Sequence, residues 1–158
     1  MIKIYFRTVP ILTPSINGRP ISAGHLLTDF LNQETRVKCP SPCYAVNQAK
    51  IIPQKGKFTL LAINRRGLTD EDGVPIPKIN TRVSAAWSQR HGDKYLGELV
   101  SVITHKGSIH SGHWQTYTKT DSGTWYVNSD AHPVKQTSNP LNSNRKDETS
   151  QFLIYKNK

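Results

Sequence analysis

The stretch Leu99-Val100-Ser101-Val102-Ile103-Thr104-His105-Lys106-Gly107-Ser108-Ile109-His110-Ser111-Gly112-His113-Trp114 decides how this chain is read. Together with Tyr95 to Glu98 it opens as a long strand pattern, most apolar towards His105. Two glycines then mark a connection, and a second strand begins at Trp114. Trp114 to Thr118 and Thr124 to Val127 flank Asp121-Ser122-Gly123, a tight-turn signal, so the two segments are predicted to form a hairpin. The open ends of a hairpin coincide. His113 therefore stands beside Asn128, Ser129 and Asp130.

Three of the six histidines, His105, His110 and His113, fall within nine residues. Zinc needs three or four converging donors, and no Asp, Glu or Cys lies nearby at the usual spacing. A loop carrying surface histidines is the plain alternative. A general base is the third reading. It must take a thiol proton on one ring nitrogen while an acceptor holds the other, and the segment from Asn128 to Asp130 supplies such acceptors. The residues alone leave the three readings open.

Working outward, Gln151-Phe152-Leu153-Ile154-Tyr155 is predicted as a closing strand, and the polar stretch Pro133 to Glu148 as a long loop. Phe58 to Ile63 is an almost unbroken apolar run, predicted as a central buried strand. Ile2 to Arg7 and Lys78 to Val83 alternate as strands do, and Gly67 to Pro77 reads as a loop. Arg36 to Lys38 and Tyr44 to Val46 are β-like segments on either side of Cys39 and Cys43. One helix is predicted: Ser22 offers an N-cap, and Leu26, Leu27, Phe30 and Leu31 follow over about ten residues. The fold class is α+β, mostly antiparallel sheet with few helices, in a single domain without an internal linker.

Composition narrows the function classes. The chain has 158 residues, 35% hydrophobic, enough for one core. No stretch approaches the roughly 20 apolar residues of a membrane span, and no period suggests a repeat array. Two cysteines make no disulfide scaffold and point to a reducing compartment, cytoplasmic or nuclear. The net charge is +10, yet no run of five basic residues exists and no nucleic-acid-binding motif accompanies it. A solubilising surface is the expected use of that charge, and a nucleic-acid partner is not expected.

The run Leu99 to Gly107, followed by four residues and Gly112-His113-Trp114, resembles the histidine box of the ubiquitin-specific protease family of deubiquitinases. That box ends G-H-Y. Trp114 replaces its Tyr, and Gly97 stands where Tyr is usual. Trp125-Tyr126 with Asp130 resembles the family's next signature, and Gln151 to Tyr155 its closing strand. Upstream, Leu26 to Leu31, the Cys39 and Cys43 pair, the Phe58 to Arg65 strand and Lys78-Ile79 keep the family order.

The resemblance implies a papain-like cysteine protease fold, with residues 1–66 at the end of the thumb and in the fingers and residues 67–158 as the palm. It implies His113 as general base and acid, with Ser129 at the orienting position usually held by Asp or Asn, and Asp130 as the neighbouring acid. Gly112, Trp114 and Trp125 would line the substrate channel, Trp114 at the narrow part that takes the terminal Gly-Gly. The partner would be ubiquitin or a ubiquitinated protein, and no cofactor is expected. The acidic Asp70 to Asp72 cluster and Glu98 would face ubiquitin's basic surface, leaving the positive charge on the back of the palm. The catalytic Cys is missing: Cys43-Tyr44-Ala45-Val46-Asn47 echoes the family's Cys box, but its Asn comes one residue late and no apolar helix follows. No metal is expected: Cys39 and Cys43 read as two unligated thiols at a hairpin tip, with a remnant of a fingers zinc site, two thiols short of a tetrahedron, as the alternative. Hydrolysis after ubiquitin's last Gly is the implied activity, incomplete in this chain alone. A non-catalytic ubiquitin- or protein-binding module derived from such an enzyme is the alternative.

Overall fold

The computed structural model describes residues 11–12, 21–32, 35–38, 46–49, 56–65, 74, 78–84, 97–108, 111–129, 132–142 and 148–157. In chain order the elements are β1 (Ile11–Leu12), β2 (Ile21–Ser22), α1 (Ala23–Asn32), β3 (Thr35–Lys38), β4 (Val46–Ala49), β5 (Phe58–Ala62), β6 (Val83–Ser84), β7 (Glu98–Gly107), β8 (Gly112–Lys119), β9 (Trp125–Ser129), β10 (His132–Thr137), a 3-10 turn (Pro140–Asn142) and β11 (Glu148–Lys156). The expected Ile2 to Arg7 strand, both cysteines, Asp70 to Asp72, His110 and Asp130 lie outside the described residues.

Seven strands form one sheet in the order β1-β5-β11-β7-β8-β9-β10, antiparallel except where β1 meets β5. Two small ribbons, β2 with β6 and β3 with β4, complete the strands. The closing strand β11 is an interior strand, third in the order, between β5 and the middle strand β7. β5, expected at the centre, is second from the edge. The stretch from 133 to 148 is not all loop: His132–Thr137 pairs with β9 as an edge strand. Its exposed, Lys- and Pro-containing sequence carries no burial pattern, so backbone pairing alone makes it a strand. Of the alternating run Lys78 to Val83, only Val83 is in a strand, beside Ile21.

Alternation explains the core. Leu61, Leu153, Val102, Tyr117 and Val127 are successive partners across five strands. The first four are fully buried. Each large side chain in that row contributes about 2 kcal/mol by leaving water. Ala23, Leu26 and Leu27 of α1 belong to the same cluster, which matches their spacing on one helix face. Ser22 begins the helix as expected, its hydroxyl accepting from the His25 backbone N–H at 3.2 Å. A bulge on β11 between Ser150 and Phe152 shifts the register by one residue, so that Leu153 still faces the core while Ser150 pairs with Thr104.

Candidate functional site

The β8–β9 hairpin places the site. Its turn closes with Thr120 O accepting from Gly123 N–H at 2.9 Å, and Gly123 takes φ +89°, a left-handed conformation suited to glycine. Gln115 then faces Ser129 and Tyr117 faces Val127. Side chains two apart share a face, so His113 points to the same side as Tyr117, at the end of the strand where the core thins. Ser129 is its diagonal neighbour on β9. The His113 Nε2 and the Ser129 hydroxyl lie 2.7 Å apart. Ser129 is 9% exposed and His113 is half-buried. This leaves Nδ1 as the nitrogen of His113 with a lone pair or proton to offer a reacting group. A neutral hydroxyl holds an imidazolium less firmly than a carboxylate does.

The other expected residues are distributed differently. Asp130 is outside the described residues. Gly112 precedes His113 directly, and the His105 ring covers its backbone: a Cβ at residue 112 would stand 2.3 Å from His105 Nε2 and from Lys106 O. Trp114 alternates to the opposite face of the sheet. There its ring lies 4.5 Å from that of His105, tilted by 43°, and 6.4 Å from Phe152, and it is 48% exposed. Trp125 is 7% exposed, shares the core face with His113 and pairs with Lys119 at the closed end of the hairpin. The structure therefore brings His113 and Ser129 together, with Gly112 adjacent, and places Trp125 at the far end. His105 and His113, grouped by the zinc reading, face opposite sides of the sheet. Among the described residues no three His, Cys, Asp or Glu side chains gather as metal ligands.

A cleft of about 360 Å³ opens on the Trp114 side, lined among others by Arg65, Lys78, His105, Ser108, Trp114 and Phe152. Arg65 is 3% exposed and bonds only neutral acceptors. Its Nε donates to Ser150 O at 2.7 Å, Nη1 to Ile79 O at 3.0 Å and Thr81 O at 2.6 Å, and Nη2 to Ser150 Oγ at 3.4 Å. Burial lowers its pKa to about 10. Lys78 Nζ donates to His105 Nδ1 at 2.8 Å, His105 O at 3.0 Å and Gly107 O at 3.3 Å. Burial, and then the charge of Arg65, lowers the Lys78 pKa. Burial, and then the charge of Lys78, lowers that of His105. An ammonium only donates, so His105 Nδ1 accepts and its ring is neutral with the proton on Nε2. Sequence reasoning noted Lys78 and His105 as motif positions and missed this cluster. A buried cation satisfied by main-chain carbonyls leaves no partner residue type to search for.

Among the described residues no helix is long and apolar enough to cross a membrane. The family "Ubiquitin carboxyl-terminal hydrolase" matches residues 31–155. No curated protein matches the chain significantly. Among solved structures, the SAGA Ubp8/Sgf11/Sus1/Sgf73 DUB module bound to ubiquitin aldehyde is similar at a TM-score of 0.58 and 18% identity, over 91% of this chain and 35% of that one. The Ubp8-Sgf11-Sgf73-Sus1 SAGA DUB module gives a TM-score of 0.60 at 17% identity, over 91% and 32%. A yeast SAGA DUB module with a substituted Sgf73 gives 0.59 at 15%, over 91% and 34%. The chain thus spans about a third of the length of the solved chains it matches, and the shared fold is the papain-like one of deubiquitinases. With four fifths of its length matched by one family, and the hairpin, the histidine and the interior closing strand in that family's order, the chain belongs to the ubiquitin carboxyl-terminal hydrolases.

Proposed function

We propose that this chain supplies the histidine side of a cysteine-type deubiquitinase active site, with residues 67–158 as its palm. The 2.7 Å contact between His113 Nε2 and Ser129 Oγ carries the reading, because it holds one ring nitrogen and leaves Nδ1 for a thiol. In the reaction, Nδ1 of His113 takes the thiol proton and the thiolate attacks the carbonyl carbon of ubiquitin's last Gly. The imidazolium returns that proton to the leaving amine as the C–N bond breaks. Water then attacks the thioester while His113 takes its proton, and the carboxylate and thiol are released. Ser129 orients the ring throughout, and Asp130 is the neighbouring acid of the segment. Gly112 adjoins the base, Trp114 lies behind it on the opposite face of the sheet, and Trp125 supports the hairpin that carries it.

Neither Cys39 nor Cys43 is the nucleophile in this reading, and the thiol comes from outside the palm sheet. Ubiquitin or a ubiquitinated protein is the partner, and the cytoplasm or nucleus the place of action. The neutral Ser129 favours a second reading, a ubiquitin-binding module with weak or absent catalysis.

An electrophilic probe built on ubiquitin's C-terminus tests both, applied to the full-length gene product. Labelling of a Cys that is lost on His113→Gln supports the enzyme. Labelling unaffected by that change overturns the assigned role of His113. Micromolar ubiquitin binding without labelling supports the module.

A further inference from the structure

The cations of the Trp114-side cleft are committed inward. All three Lys78 donors end on His105 and Gly107, and four Arg65 N–H groups end on Ser150, Ile79 and Thr81. Such a cluster does not present charge to a ligand. It ties three stretches of main chain together, and one of them reaches the residues on both sides of His113.

We propose that Lys78 is a positioning residue for His113, acting through the ring of His105. This rests on the reading of His113 as the base. His105 and Trp114 are paired across β7 and β8, and the next pair is Lys106 with His113. The His105 ring covers Gly112, where even a methyl group would collide with Nε2 at 2.3 Å and Cε1 at 2.7 Å. It also meets the Trp114 ring at 4.5 Å. The ring therefore touches the residue before His113 and the residue after it, fixing the backbone from which the imidazole projects to the other face.

The His105 ring is itself fixed at two points by one ammonium, through Nδ1 and through its own carbonyl. Thr149 Oγ1 adds a third tie, donating to the same carbonyl at 3.1 Å. Lys78 is anchored in turn: Ile79 N–H donates to Arg65 O at 3.0 Å, and Arg65 holds Ile79 O and Thr81 O. Gly107, the other carbonyl that Lys78 holds, takes φ +129° and passes so close to Ser111 that a Cβ would stand 2.5 Å from its oxygen. Lys78 thus holds the end of β7 from which the connection to Gly112 departs. The cluster sets the base of the hairpin from the side opposite the chemistry.

Imidazole nitrogen NMR on the full 158-residue chain tests this without requiring hydrolysis. With Nε2–H donating to Ser129 Oγ, as a base at Nδ1 requires, His113 is expected to favour that tautomer by about fivefold or more, the population ratio of one net hydrogen bond. Lys78→Met should bring that ratio to about twofold or less while the chain stays folded, and Lys78→Arg, which keeps donors, should restore part of it. His105→Asn keeps an acceptor for Lys78 but removes the ring from Gly112 and Trp114. It should give the same loss, and it serves if Lys78→Met fails to fold. His113 signals that stay unchanged in a folded variant of either kind overturn the proposal. If His113 responds while the full-length product never labels with the ubiquitin probe, the brace stands and the enzymatic reading fails.

Discussion

His113 and Ser129 are 16 residues apart in sequence, and the fold sets the ring Nε2 of one 2.7 Å from the hydroxyl of the other. The contact crosses from β8 to β9 on the face that also buries Tyr117 and Trp125, so the site grows directly out of the core. Ser129 is nearly inaccessible. Removing its hydroxyl would take from a partly buried ring nitrogen the partner it has among the described residues.

On the proposed role of His113 as base, Ser129→Ala is expected to lower kcat about tenfold or more, with KM little changed, because the lost contact would orient that base rather than bind substrate. Ser129→Asp, which holds an imidazolium more firmly, should keep or raise kcat. Steady-state hydrolysis of a fluorogenic ubiquitin substrate checks both, and an Ala variant with unchanged kcat removes the orienting role.

Gly97 departs from the Tyr usual in the family's histidine box, and the fold gives the reason. A Cβ there would lie 1.9 Å from Lys156 O and 2.7 Å from the Asn157 Cα. Both are main-chain atoms at the end of β11, where Asn157 also accepts from Gly97 N–H at 3.2 Å and donates to Gly56 O and Thr59 Oγ1. Gly97→Tyr should destabilise the chain by about 3 kcal/mol or more. Urea unfolding measures it, and a stability equal to the parent chain contradicts the packing described.

Arg65→Met removes four hydrogen bonds and leaves the carbonyls of Ile79, Thr81 and Ser150 without that donor. The expected cost is about 3 kcal/mol. Arg65→Lys should recover only a fraction, since an ammonium cannot span carbonyls from two segments with a planar fork. Thermal denaturation of the three chains gives the ranking, and Lys matching Arg would show that charge alone matters.

His105 makes stability depend on pH with a definite sign. Burial and Lys78 lower its pKa in the folded chain, whereas the unfolded chain keeps the ordinary value of about 6.5. As pH falls, the unfolded chain binds that proton first, so its contribution is full above about pH 6.5 and lost as pH drops through the lowered folded value. The loss of Tm between about pH 7.5 and about pH 5.5 should be larger in the parent chain than in His105→Asn, which cannot titrate. Equal losses would assign the pH dependence to other groups.

Much of this architecture was legible locally. The helix from Ala23 was marked by its Ser22 cap and leucine spacing. The β8–β9 hairpin was marked by Asp121-Ser122-Gly123 between alternating segments, and its open ends placed His113 beside the segment from Asn128 to Asp130, of which the resemblance singled out Ser129. β10 was invisible because its first five residues are exposed, so the backbone of β9 recruits a stretch whose side chains carry no pattern. The interior place of β11 was equally hidden. Its partners β5 and β7 are far from it in the chain, and apolar runs state that a strand is buried without stating beside which neighbour.

The short-range parts follow from neighbouring residues: which segments extend, where the hairpin turns, and that His113 stands beside the segment from Asn128 to Asp130. Turn chemistry and period-two alternation act over a few residues and need no other part of the chain. Only the tertiary structure decided that Trp114 and His105 lie behind His113 and that Trp125 lies far along the same face. It alone brought Arg65 to Ser150 across 85 residues, and Lys78 to His105 across 27. Those contacts end on main-chain carbonyls or depend on the stacking order of strands. A carbonyl is the same at every residue, so nothing in the amino-acid order announces which one a distant cation will hold.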